Sequence, residues 1–338
     1  MPVFRNSRSL LSVILSFVCF LSAAGCSKGE PIYRIELLDC DPLLNDSSEY
    51  VVVLGDLQEY TGNQHYRPWL QHTMDWIWSQ CRYGRKIRSI LQVGDVTSNN
   101  SVGNWEVFMY HYRQVGKIVP TIVCAGNHDY TWGEDGWQIE DRYSTLFSDY
   151  VTYEGTPAEV IERFEPERTE NVVIGLTLGG ERCNVLVLEY GARDEVVQWA
   201  AAYVAAHPDQ RFILLTHEFL TAKGVRISKG SSAEAQFVDQ SCNTPEEIWE
   251  KLVFGNDNIV CVLCGHNGFV QRLFSPNATG REVPQILFNV QYQANGGDGW
   301  IQLWEFSPDR DTVVVRTYNT VRNEVLQDPN GTFEFGWR

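Results

Sequence analysis

Five short apolar runs in this chain each stop at side chains that could do chemistry. Val51-Val52-Val53-Leu54 ends in Gly55-Asp56-Leu57-Gln58, and Ile90-Leu91-Gln92-Val93 ends in Gly94-Asp95. Ile122-Val123-Cys124-Ala125 ends in Gly126-Asn127-His128-Asp129, Ile213-Leu214-Leu215 ends in Thr216-His217, and Val260–Cys264 ends in Gly265-His266-Asn267. Runs of this length and composition read as buried strands. In open α/β sheets, ligand sites gather at the carboxyl ends of strands, and a glycine before four of these groups permits tight turns and close backbone approach. Taken singly, Gly-Asp is an ordinary turn, and a lone histidine is more often a hydrogen-bonded structural residue. Five such endings, all on strand ends, point instead to a shared site. Carboxylate and amide oxygens together with imidazole suit manganese, iron or zinc.

The elements that must carry these groups follow from periodicity. Strands are expected at Tyr50–Leu54, Ile87–Val93, Val119–Cys124, Val172–Leu178, Cys183–Glu189, Phe212–Leu215 and Ile259–Cys264, with three short strands from Gln285 onward. Helices are expected at Pro68–Gln80, Val102–Val115 and Asp194–Ala206, the last with Asp194 as its N-cap. Thr244-Pro245-Glu246-Glu247 has the spacing of a capping box. Residues 130–182 read as loops, a short helix and one strand, and 221–243 as a polar loop. An edge strand is expected in Pro31–Leu38. Strand–helix alternation followed by antiparallel-looking strands gives an α/β sandwich in one domain.

The ordered set Gly-Asp-x-Gln, Gly-Asp, Gly-Asn-His-Asp, His, Gly-His resembles the calcineurin-like metallophosphoesterases, from about residue 50 to 320. Gly126-Asn127-His128-Asp129 is its most specific piece. The resemblance implies a two-sheet β-sandwich flanked by helices, a four-layer αββα fold, with the site at one edge. It implies hydrolysis of a phosphate mono- or diester by in-line attack of metal-bound hydroxide. Asp95 would bridge two metals, Asp56 and Gln58 would complete the first site, and Asn127, His217 and His266 would bind the second. His128 would assist the leaving oxygen, with Asp129 orienting its imidazole. The chemistry is coherent: two metals about 3.5–4 Å apart clamp the reacting oxygens, and a histidine exchanges protons near neutral pH. The family's last motif is normally Gly-His-x-His, whereas this chain has Gly265-His266-Asn267-Gly268. Fewer and weaker donors on the first side imply one tight metal and one loose metal. Asn289, Gln291 and Gln293 alternate along a strand-like stretch, and one of them, or Asn267, is a candidate to supply a replacement oxygen. His65, Trp132 and Trp137 lie near the motifs and are candidates to line a pocket, although most tryptophan here should be packing.

Composition bounds the rest. The chain has 338 residues, 43% of them apolar, with no low-complexity tract or fixed-period repeat. Arg5, Arg8, an apolar run from about Leu10 to Ala24 and Leu21-Ser22-Ala23-Ala24-Gly25-Cys26 read as a secretory signal. The segment resembles a bacterial lipoprotein signal, with Ala23 where leucine is usual. This divides the chain into a signal (1–25), a leader (26–49), a phosphoesterase domain (50–320) and a C-terminal tail (321–338). It implies a lipid-anchored protein of the bacterial cell envelope, periplasmic or surface, attached to membrane through Cys26. The formal charge of −16 becomes −18 once residues 1–25, with Arg5 and Arg8 and no acids, are removed. Such a surface disfavours nucleic acid and leaves a small-molecule or head-group phosphate ester as the expected partner. Cys261 and Cys264 have the spacing of a redox or zinc pair, but on a strand they point to opposite faces and read as core thiols. Two further readings compete with an enzyme: a binding or scaffold lipoprotein that kept the fold and lost catalysis, favoured by the missing histidine, and a carbohydrate-binding protein, suggested only by the tryptophan content.

Overall fold

The computed structural model describes residues 35–134, 136, 138–139, 141–231, 235, 237 and 241–337. The expected signal, Cys26 and Trp137 lie outside the described residues. In chain order the elements are β1 (Glu49–Leu54), α1 (Gln58–Gly62), α2 (Arg67–Arg82), β2 (Lys86–Gln92), α3 (Val102–Val115), β3 (Thr121–Val123), a tight turn of helix at Asn127–Asp129, α4 (Phe147–Tyr150), β4 (Glu159–Arg163), β5 (Val172–Leu178) and β6 (Glu181–Val187). They continue with α5 (Asp194–Ala206), β7 (Arg211–Leu215), α6 (Pro245–Ile248), a wide helical turn at Trp249–Val253, β8 (Ile259–Cys264), β9 (Val270–Pro276), β10 (Glu282–Phe288), β11 (Trp300–Phe306), β12 (Thr312–Asn319), β13 (Glu324–Val325) and β14 (Thr332–Gly336).

The strands form two mixed sheets of seven. The first has the order β13-β12-β11-β1-β2-β3, with β14 also paired to β12; the second has the order β4-β5-β6-β7-β8-β10-β9. β1, β2 and β3 run parallel, as do β6, β7, β8 and β10. Period-2 alternation divides the second sheet, apart from the irregularity at Val260 in β8. Val185, Val187, Ile213, Leu215, Cys261, Leu263 and Ile286 join one core cluster with Val52, Ile90, Ile122 and Leu303 of the first sheet. Their neighbours Leu186, Leu188, Phe212, Leu214, Val262 and Cys264 join a second cluster with Val196, Val197, Ala200 and Val204 of α5 and Leu252 and Val253 of the wide turn. The sandwich therefore has one core between its sheets and one under α5. Cys261 and Cys264 fall on opposite sides, both buried.

Several elements differ from the sequence reading. Asp194 is the first residue of α5 rather than its cap: Arg193 holds the N-cap position, and the Asp194 carboxylate pairs with Lys251 at 2.8 Å. The described part of the Pro31–Leu38 stretch is irregular. The helix α1 and the strands β4 and β9 were not expected. The first two have five residues each, and β9 is half-buried along most of its length with no clear alternation, so they carry little periodic signal. More strands follow Glu282 than the three anticipated, and residues beyond 321, set apart above as a tail, add β13 and β14 to the first sheet. The capping box forms as read: the Thr244 side chain accepts from the Glu247 N–H, and Glu247 Oε2 accepts from the Thr244 N–H at 2.8 Å. No helix among the described residues is long and apolar enough to cross a membrane.

Candidate metal centre and active site

The parallel strands of both sheets point their carboxyl ends at one place. β1 delivers Asp56 and Gln58, β2 delivers Asp95, and β3 delivers Asn127 and His128; β7 delivers His217, β8 delivers His266, and β10 leads into Asn289 and Gln291. The turns need unusual backbone. Asp95 and His266 are non-glycine residues in the left-handed region, with φ of 52° and 70°, a conformation that costs about 1–3 kcal/mol. Gly94 has φ of 106°, and a Cβ there would collide with the His217 ring; a Cβ on Gly126 would collide with Asp95. These two glycines let three strand ends approach within bonding distance.

The centre of the arrangement is the His217 ring. Its Nδ1 lies 2.8 Å from the Val93 carbonyl, which can only accept, so Nδ1 carries the N–H and Nε2 faces the cluster. Nε2 lies 3.1 Å from Asn127 Oδ1, 3.3 Å from Asp95 Oδ1 and 3.2 Å from His266 Nδ1. Ligand atoms of Asp95, His217 and His266 all lie within 4.8 Å of one another. Lone pairs that converge so closely require positive charge. Burial opposes charge on the His217 ring, but Asp95 and Asp56 outweigh it and push the ring up to about 10. Burial and the His217 charge push His266 down to about 3. Burial would raise Asp95, yet His217 holds it below the usual carboxylate range. Asp56 is pushed well above that range by burial, with Asp95 adding to the rise and His217 opposing it.

A second group of donors adjoins the first. Both Asp56 oxygens accept from the His266 backbone N–H at 3.2 Å. Gln58 Nε2 donates to Asp95 Oδ2 at 3.0 Å and to Gln291 Oε1, while Gln58 Oε1 is buried with no hydrogen-bond partner. A buried carbonyl oxygen without a donor is unfavourable by about 1–3 kcal/mol and suits a cation. The residues present therefore fit divalent metal: Asp95, Asn127, His217 and His266 on one side, Asp56, Gln58 and Asp95 on the other.

His128 stands apart from the ligand cluster. Its backbone N–H donates to Asp95 Oδ1 at 2.9 Å, and its ring Nδ1 lies 2.9 Å from the Ser98 carbonyl. The ring is thus oriented by Ser98 and not, as expected, by Asp129. The Asp129 carboxylate is occupied by the backbone N–H groups of Gly126, Val96 and Thr97 at 2.9, 3.1 and 2.8 Å and by the Thr97 hydroxyl at 3.0 Å. It clamps the two loops that carry Asp95 and His128. Burial and Asp95 push its carboxyl up to about 6. Ser98 is itself pinned, since the Asn104 side chain accepts from its hydroxyl at 2.8 Å. No sequence signal could reveal Ser98, because a backbone carbonyl can belong to any residue.

Trp132 is half-buried, its ring centroid 6.1 Å from that of His128. His65 is exposed, and its backbone N–H donates to Asn63 Oδ1. Tyr190, not singled out from sequence, packs its ring 5.9 Å from His217 and 6.0 Å from His266. Tyr292, next to Gln291, is 70% exposed and offers an aromatic face beside the site.

Among curated proteins, an uncharacterised protein, YvnB, from Bacillus subtilis (strain 168) is 26% identical over 243 residues, covering 69% of this chain and 17% of its own length. The chain thus spans only about a sixth of that relative. A "Probable inactive purple acid phosphatase 27" from Arabidopsis thaliana is 24% identical over 94 residues, 27% of this chain and 15% of that protein. Among solved structures, a 5'-nucleotidase from Candida albicans aligns with 87% of this chain and 52% of its own at a TM-score of 0.37 and 10% identity, a likeness too distant to bear on substrate. The family model described as calcineurin-like phosphoesterase matches residues 50–267, from the strand that leads to Asp56 to the loop that holds His266, and with well over half of its length inside that match the chain belongs to the calcineurin-like phosphoesterase family.

Proposed function

We propose that this protein is a metal-dependent hydrolase of a small-molecule or head-group phosphate mono- or diester. The observation that carries the reading is the convergence of Asp95, His217 and His266 at the strand ends. The family generally binds divalent metals, and manganese, iron or zinc suits the mixed oxygen and nitrogen donors. When bound, such cations stabilise charge on phosphoryl oxygens and lower the pKa of water for in-line displacement. The chain's own residues do the rest. Asp95 is shared between the two donor groups, and its carboxylate is held by the His128 N–H and the Gln58 amide. His128 gives its Nδ1–H to Ser98, so Nε2 is the atom left to pass a proton to the leaving oxygen. The Asp129 clamp keeps that ring at a fixed distance from Asp95.

A second reading rests on Gly268, which supplies no side chain where the family motif has histidine: a catalytically weak or inactive binding lipoprotein. The Arabidopsis relatives named as probable inactive phosphatases agree with it. The discriminating experiment uses dialysed protein, to which Mn²⁺, Fe²⁺ or Zn²⁺ is added with an aryl phosphate monoester or a bis-aryl diester. Metal-dependent turnover that His217→Ala abolishes supports the hydrolase. Metal binding without turnover on any ester supports the binding protein, and neither would sink both. The signal reading adds a proposed location at the bacterial cell envelope, with the lipid on Cys26.

A further inference from the structure

The first donor group lacks the histidine that completes it elsewhere in the family, and four nearby side chains could replace it. Position 268 cannot be restored locally. Gly268 has φ of 65°, and a Cβ there would sit 3.0 Å from Ala222 Cβ and 3.1 Å from its Cα. Asn267 is turned away, its amide donating to the Leu220 carbonyl at 3.2 Å. Asn289 is fully buried, and its Oδ1 is used within the turn, accepting from the Gln291 N–H at 2.9 Å. Gln293 gives its backbone N–H to the Val290 carbonyl at 2.8 Å.

Gln291 is different. Its side-chain amide touches both Gln58 and Asp56: Oε1 accepts from Gln58 Nε2, and Nε2 lies 3.5 Å from Asp56 Oδ2 and 3.3 Å from the His266 carbonyl. The contacts form a continuous chain, Asp95 to Gln58 to Gln291 to Asp56. The turn that presents Gln291 is fixed, since Asn289 holds its backbone and the Asn289 N–H donates to the Phe269 carbonyl at 2.8 Å. The unpartnered, buried Gln58 Oε1 independently marks this place as one that wants positive charge. An amide's oxygen and nitrogen exchange by a half turn without moving other heavy atoms. A half turn of the Gln291 amide alone sets its carbonyl oxygen toward Asp56, at the loss of its hydrogen bond with Gln58, and leaves Gln58 Oε1 where it is.

We propose that Gln291 is the missing donor, and that Asp56, Gln58, Asp95 and Gln291 together form an all-oxygen cation site beside the imidazole-bearing site of His217 and His266. The inference rests on the metal-dependent reading above and deepens it. The two sites differ in kind. Imidazole favours zinc and other later transition metals, whereas carboxylate and carbonyl oxygens suit magnesium, calcium and manganese. The oxygen site should therefore take Mn²⁺ in preference to what its position beside a zinc-type site suggests, and the bound pair should be mixed when both ions are offered.

The test is calorimetric titration of dialysed wild-type protein with Mn²⁺ alone and with Zn²⁺ alone, with metal content measured in parallel and circular dichroism as the folding control. Two classes of site are expected, and Gln291→Ala should weaken the second by at least about tenfold, the least that loss of a metal-supporting group produces. Gln291→Glu and Gln291→His separate a ligand from a mere hydrogen-bond donor. A ligand predicts tighter Mn²⁺ binding with glutamate and a shift toward Zn²⁺ with histidine. Weaker binding in Gln291→Glu, or second-site affinities unchanged in Gln291→Ala, would overturn the assignment. If instead the first equivalent fails to bind and His217→Ala changes nothing, it is the metal-dependent reading itself that falls.

Discussion

Replacing His128 with alanine tests the division between proton transfer and metal binding. The side chain bonds through Nδ1 to the Ser98 carbonyl, while the bond to Asp95 Oδ1 comes from the backbone N–H. Alanine keeps that N–H, so Asp95 stays supported and metal content should match the wild type. The ring is only partly buried, so the effect on stability should stay within about 1 kcal/mol. The loss should fall on the chemical step. A positioned general acid contributes about 10²–10⁴-fold, or about 3–5 kcal/mol. That loss should be largest for alkyl esters, whose leaving oxygen needs a proton, and should shrink toward nothing for nitrophenyl esters. The assay is kcat/KM across a series of leaving groups for wild type and His128→Ala, with metal measured on the same samples. A uniform loss across the series, or metal lost with the ring, would refute the argument.

Four other outcomes follow from particular residues. Asp129→Asn should destabilise the fold by about 2–4 kcal/mol in denaturant melts, because its carboxylate accepts from four donors; unchanged stability with a selective loss of turnover would return it to the His128 ring. His111, buried and near Arg67, is pushed down to about 4, so between about pH 6.5 and 4 the unfolded chain takes up a proton that the folded chain refuses. Its contribution is fully present above 6.5 and falls by up to about 3 kcal/mol as pH drops through 4, and His111→Gln should flatten that part of the profile. Chelation should lower the thermal midpoint, and Mn²⁺ at 100 times its dissociation constant should restore about 2.7 kcal/mol; a midpoint indifferent to chelator would count against a resident metal. Cys26→Ser should move the protein from membrane to soluble fractions or leave its signal uncut, and a wild type already soluble in the cytoplasm would refute the anchor.

The strand ends were legible because burial and chemistry coincide there. A continuous apolar run such as Ile259–Cys264 reads as a strand buried on both faces, and it is buried throughout. The polar residue just past it then stands out. Positions that act through backbone or through chain reversal were not legible. Ser98 works through its carbonyl, and α1, which starts at Gln58, is too short to show a period. Asp129 was correctly placed beside His128 in sequence but given the wrong partner, since motif order says nothing about which way a carboxylate turns. Gln291 was one of three alternating amides, and only the register of β10 against β8 and the Asn289 turn distinguish it from its neighbours.

The two sheets contribute donors unequally. Asp56, Gln58, Asp95 and Asn127 follow strands of the first sheet, so its edge is rich in oxygen donors. His217, His266 and Gln291 follow strands of the second, which brings the imidazoles and one amide. Neither edge alone offers a complete donor set for a divalent cation: the first has the charge and the second has most of the nitrogen. The centre therefore exists only where the sheets meet, and the contacts between Asp95 and His217 and between Asp56 and the His266 backbone cross that seam. A cation held there would tie the sheets together at the one end where the core between them gives way to polar groups. Chelation should consequently loosen this end first, in the loops that begin at Asp56, Asp95 and His266, while the buried strands beneath keep their protection.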